Sequence, residues 1–177
     1  MQHAVLATAK LERALDMPCI LARVAAASPR PRYTMLLLDL IVRAAGAQGR
    51  AGPWVQDGDA LVPVREWLCE ALAPMAARNS KRIALAQQVR AALQADGKLP
   101  HDPQEAAQAI DLEVRNRVRT SGLTSVSRAV TELVNAGLIA RHYQGYRVDH
   151  ENRGAQRQAV YTVPPAVSAA LGAGPLI

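Results

Sequence analysis

A run of short hydroxyl side chains with one arginine among them is the most chemically suggestive stretch of this 177-residue chain. Thr124, Ser125, Ser127, Arg128, Thr131 and Asn135 recur at three- and four-residue steps. On a helix, that spacing gathers Thr124, Ser127, Arg128, Thr131 and Asn135 on one side and Val126, Ala129, Val130, Leu133 and Ala136 on the other. The polar side contains no lysine and no long aliphatic chain, whereas a face meant only for water usually mixes Glu with Lys. Its side chains are of the kind that hydrogen-bond to base edges and phosphate oxygens. Arg128 carries a planar fork that matches O6 and N7 of guanine, and Asn135 suits adenine or a phosphate. The plainer alternative is a polar face solvated by water.

Other chemistries find little support. The four histidines (His3, His101, His142 and His150) are scattered. There is no Gly-rich phosphate loop, metal-ligand spacing or nucleophile–base pair, so no enzymatic activity, cofactor or metal is expected. Asp57 and Asp59 flank Gly58 in a turn-rich setting and read as turn chemistry. Cys19 and Cys69 each sit in an apolar run, which fits two thiols in a reducing cytosol better than a disulfide framework. No signal peptide is evident at the N-terminus. The most apolar run, Met35 to Val42, is broken by Asp39 and too short to span a bilayer. A cytoplasmic location and no membrane partner are the expectation.

The elements that must position the polar face follow from periodicity. Residues 4–27 read as helical, with a break near Met17-Pro18, and Ser28 to Arg32 as an extended two-proline linker. Tyr33 to Ala45 reads as a buried helix and 46–59 as a loop. Further helices are expected over 63–73 and about 81–96. Asp102-Pro103-Gln104-Glu105 is a capping box with Pro at the first helical position, starting a helix that runs to about Arg119. A turn at Thr120-Ser121-Gly122 leads to the two-faced helix, with Thr124 as its N-cap and Gly137 as its stop. The period then changes. Leu138 to Val148 and Ala155 to Val163 read as two strands around a turn at 150–154. Residues 164–177 form a short, peripheral tail.

Charge supports the same region. The net charge is +6, which favours an anionic partner. Residues 81–98 hold four basic and one acidic side chain, residues 99–114 hold four acidic and no basic ones, and residues 115–177 hold eight basic and three acidic. The basic excess therefore coincides with the two-faced helix and the hairpin behind it. Phe is absent and aromatics are only 3%, so the core must be aliphatic.

Helix, Gly turn, two-faced helix, Gly-Leu-Ile and a hairpin with a basic tip make up an order that resembles the winged helix-turn-helix. Gly122-Leu123-Thr124, Ser127-Arg128, Leu133 and Gly137-Leu138-Ile139 are similar to the local pattern of MarR-like and related bacterial regulators. The resemblance covers about residues 81–163. One departure is Arg117-Val118, where those regulators carry a Leu-Ala pair.

The resemblance implies a mainly α fold with a C-terminal β-hairpin wing, in which 81–163 is the DNA-binding domain and 1–80 a helical extension for oligomerisation or a second DNA contact. It implies DNA contacts by Thr124, Ser125, Ser127, Arg128, Thr131 and Asn135 in the recognition helix. The wing contacts would be Arg147, His150, Asn152, Arg153 and Arg157, and the backbone contacts Arg117, Arg119 and Ser121. The expected partner is double-stranded DNA bound by a homodimer, as in a bacterial or mobile-element transcriptional regulator; no small-molecule effector is evident. A plasmid or phage replication or partition initiator, or a winged helix used only for protein contacts, would share these features.

Overall fold

The computed structural model describes residues 15–76, 79–144 and 158–172. The chain is mainly helical with small antiparallel sheets, and divides into two compact units. One runs to Leu68 and resumes at Ser127; the other is residues 69–126.

The first unit opens on helix α1 (Met17–Ala27). The Asp16 carboxylate accepts from the Cys19 amide at 2.9 Å, and Pro18 sits in the first turn, where its missing N–H goes unused. The break expected near Met17-Pro18 is therefore a helix start. The two-proline segment after it is not an extended linker. Pro31 opens helix α2 (Pro31–Ala45), and Ser28 is buried at the corner. Leu37, Leu38, Ile41, Val42 and Ala45 form the buried stripe of α2.

The loop expected over 46–59 is also corrected. After a single 3₁₀ turn come strands β1 (Arg50–Ala51), β2 (Trp54–Asp57) and β3 (Ala60–Pro63). Glycine and proline hid them, because Pro53 and Pro63 fall at strand margins, where proline is tolerated. β2 and β3 pair with Asp57 opposite Ala60, so Gly58 and Asp59 form the turn. Helix α3 (Val64–Ala76) follows directly, with Val64 and Leu68 buried.

The second unit contains helix α4 (Asn79–Ala95) and the first part of helix α5 (Pro103–Asn135). Asp102 Oδ2 accepts from the amides of Gln104 at 3.0 Å and Glu105 at 2.9 Å, as its capping role requires. Val89, Ile110 and Val114 form a small core, ringed by Leu85, Ala86, Leu93 and Leu99.

The largest correction concerns α5. It is one uninterrupted helix of 33 residues, and Thr120-Ser121-Gly122 lies inside it. Thr124 is not an N-cap; its hydroxyl donates to the Thr120 carbonyl at 3.0 Å within the helix. Gly122 is there for space, since a Cβ at that position would stand 2.5 Å from Cys69 Sγ. No proline interrupts 104–135, so nothing forces a break.

The helix does stop where expected. Gly137 adopts φ 68°, its amide donates to Val134 O at 3.0 Å, and the Leu138 amide donates to Leu133 O at 3.0 Å. This pair of bonds is the Schellman closure, sealed by buried Leu133 and Leu138.

Back in the first unit, strands β4 (Ala140–Gln144) and β5 (Gln158–Thr162) pair antiparallel, with Ala140 opposite Thr162 and Gln144 opposite Gln158. β1 pairs with the other edge of β5, giving the order β1-β5-β4. Two expectations change here. The hairpin belongs to a three-stranded sheet, and it is not the last element. Pro165 opens helix α6 (Pro165–Ala170), which buries Val167, so the tail helps close the core. No helix among the described residues is long and apolar enough to cross a membrane.

The continuous helix is testable at Gly122. Alanine there should destabilise the fold by about 1–3 kcal/mol through the Cys69 clash. In a Cys69→Ala background the same change should instead stabilise by up to about 1 kcal/mol, from helix propensity alone. Urea unfolding of the four chains measures both. A glycine needed for a turn would cost stability in either background.

Candidate nucleic-acid interface

The last two turns of α5 lie in the first unit and carry the polar face. Ala129, Val130 and Leu133 are buried in the core. Arg128, Thr131 and Asn135 are exposed and Ser127 is half-buried. Half-buried Glu132 lies beside them. Its carboxylate accepts from the Thr34 hydroxyl at 3.0 Å. Because Thr34 gives its hydrogen to Glu132, the buried Ser28 hydroxyl 2.8 Å away must donate to Thr34. Ser28 Oγ in turn accepts from the Arg30 amide at 3.0 Å. The corner between α1 and α2 is thereby tied to α5.

Two arginines from other elements reach this face. Arg65, in the first turn of α3, donates to Ser127 Oγ at 2.8 Å. Arg141, on β4, approaches Thr131 Oγ1 at 3.4 Å and lies over the Tyr143 ring at 5.7 Å. Thr131 itself donates to the Ser127 carbonyl at 3.0 Å. On the sheet, Arg50 donates to His142 Nε2 at 3.1 Å, reaching across β5. Beneath Arg65 and Arg141 lies buried Tyr161. Burial pushes its phenol up to about 12, and the two guanidiniums offset part of that rise.

The electrostatic contrast with the second unit is informative. There, Arg82 and Arg115 meet Asp111, and Arg117 meets Glu113 at 2.7 Å. Around the polar face, Arg50, Arg65, Arg128 and Arg141 make no ion pair among the described residues. Three of them rest on neutral oxygen or nitrogen. A guanidinium held by neutral partners keeps its full charge and its remaining donors for an anion such as phosphate.

Of the residues expected from sequence, Ser127, Arg128, Thr131 and Asn135 are brought together. Thr124, Ser125, Arg117, Arg119 and Ser121 belong to the second unit, on the earlier part of α5. Arg117 is ion-paired, and Thr124 uses its hydroxyl within the helix. Arg147, His150, Asn152, Arg153 and Arg157 lie outside the described residues. Sequence reasoning missed Arg65, Arg141 and Arg50. Arg141 and Tyr143 alternate on one strand face, a signal present in the sequence; Arg65 has none, since it comes from 62 positions away.

Compared with protein-family models, curated proteins and solved structures, the chain matches none.

The buried phenol makes stability pH-dependent. In the unfolded chain Tyr161 ionises near 10, while the fold keeps it neutral to about 12. Its contribution is thus complete below pH 10 and is lost as pH rises through 12. Relative to Tyr161→Phe, stability should fall by on the order of 2 kcal/mol between pH 10 and pH 12. Denaturant midpoints of the two proteins across that range measure it, and parallel curves would refute it.

Proposed function

We propose that this protein binds double-stranded DNA sequence-specifically, through the polar face of α5 and the β4–β5 hairpin, and acts as a dimeric transcriptional regulator. The observation that carries the reading is the set of guanidiniums from three elements, Arg65, Arg128 and Arg141, which make no ion pair among the described residues, around the short hydroxyls of Ser127 and Thr131.

A winged-helix reading of the first unit has support in the element order. A helix with a short polar face runs directly into an antiparallel hairpin, and the hairpin is completed by a strand from earlier in the chain. On this reading the helix before the recognition helix is the start of α3, which one polar contact, Arg65 to Ser127, ties to the end of α5. In this reading α3 takes the part first given to residues 102–119.

The chemistry follows from reach. A helix fits the major groove, and short side chains at Ser127 and Thr131 let its backbone approach closely. Arg128 extends beyond them and reads guanine. Arg65 and Arg141 flank the helix and can exchange their neutral partners for phosphates, fixing register without reading sequence. The resemblance noted in the sequence assigns Arg147, Arg153 and Arg157 to backbone or minor-groove contacts from the wing.

Selection of bound sequences from a random DNA library, using the purified full chain, tests this. Recovery of a palindrome supports a dimeric regulator; iterated direct repeats would point to a replication or partition initiator. Arg128→Ala should cost about 1–3 kcal/mol on the selected site and relax its specificity. Arg141→Ala and Arg153→Ala should each weaken all sequences alike and reduce the salt slope by about one. No salt-dependent binding by the wild-type chain would overturn the reading.

A further inference from the structure

We propose that Tyr143 is a positioning residue for Arg141: its ring holds the guanidinium beside the polar face of α5, where it meets a backbone phosphate. The identity of the anion rests on the DNA reading above; the pairing of the two side chains does not.

The guanidiniums around the polar face are not held equally. Arg65 meets Ser127 Oγ at 2.8 Å, an ordinary hydrogen bond. Arg141 stands 3.4 Å from Thr131 Oγ1, beyond the usual range for N–H···O, so that contact alone restrains it weakly. The second restraint is on its own strand. Residues two apart on a strand point to the same side of the sheet, so Tyr143 shares a face with Arg141. The Arg141 guanidinium carbon lies 5.7 Å from the centroid of the Tyr143 ring, within reach of a cation–π attraction.

Core packing does not account for an aromatic side chain at this position. Tyr143 is 51% exposed, and opposite it stands Ala159, whose methyl offers the ring little to pack on. A ring is suited to holding this arginine. It orders the guanidinium without neutralising it, and leaves the N–H donors at the guanidinium edge open to phosphate oxygens. A carboxylate at 143 would order Arg141 as well, but would cancel its charge.

Two measurements on the full chain test this. In the free protein, the ring current of Tyr143 should move the Arg141 side-chain protons upfield in the NMR spectrum, and Tyr143→Val should abolish that shift. Valine keeps the strand propensity, and Tyr143→Thr serves if the valine variant fails to fold. Affinity for a mixed-sequence DNA duplex, by fluorescence anisotropy at low salt, should fall about two- to fivefold in Tyr143→Val and be retained in Tyr143→Phe. In an Arg141→Ala background, Tyr143→Val should lower it no further. No ring-current shift in the wild type overturns the proposal, even where DNA binds. Losses that add across the two positions also overturn it, since Tyr143 would then touch DNA on its own. Loss of affinity in Tyr143→Phe overturns it likewise, because the phenol rather than the ring would be the contact. A wild type that binds no DNA overturns the DNA reading and the phosphate role with it, whether or not the shift is present.

Discussion

The hydrogen bond from Thr34 to Glu132 sets the orientation on which the candidate interface depends. Even a half-buried carboxylate is costly unless donors meet it. Here the donor comes from a helix nearly a hundred residues earlier, and is itself held by the buried Ser28 hydroxyl. With Glu132 turned inward, Ala129, Val130 and Leu133 face the core. Helical geometry then leaves Arg128, Thr131 and Asn135 outward. The buried apolar row and the polar chain through Thr34 and Ser28 thus agree on which side of α5 faces outward.

The same economy appears in the arginines. Where carboxylates are at hand, as in the second unit, guanidiniums are neutralised locally, and such exposed pairs contribute little stability. Around Ser127 and Thr131, Arg65 and Arg141 meet hydroxyls instead. That keeps them ordered without cancelling their charge. Net charge alone could not separate these cases, because ion-paired Arg117 and Arg141 on its hydroxyl count equally in the composition.

What could be read from sequence was what depends on near neighbours. The Asp102 cap, the Gly137 stop, the α2 stripe and the pairing of β4 with β5 all rest on residues within a few turns, and the structure contains each of them. What escaped depends on distant partners. Gly122 resembles turn punctuation until Cys69 is seen packed against it. Strand β1 is two residues long and exists only because β5 offers it an edge. Four residues of the expected interface fall together, but Arg65 joins them through folding alone.

Strand β1 also bears on how the protein is made. Its partner β5 lies more than a hundred residues further along, and contacts of such separation are formed late because a long loop must close first. On a ribosome, the central strand of the first unit is missing until residue 162 has emerged. The α4–α5 hairpin draws on contacts between near neighbours and has no such wait. Until then the apolar stripes of α1 and α2 lack the sheet that pairs β1 with β5.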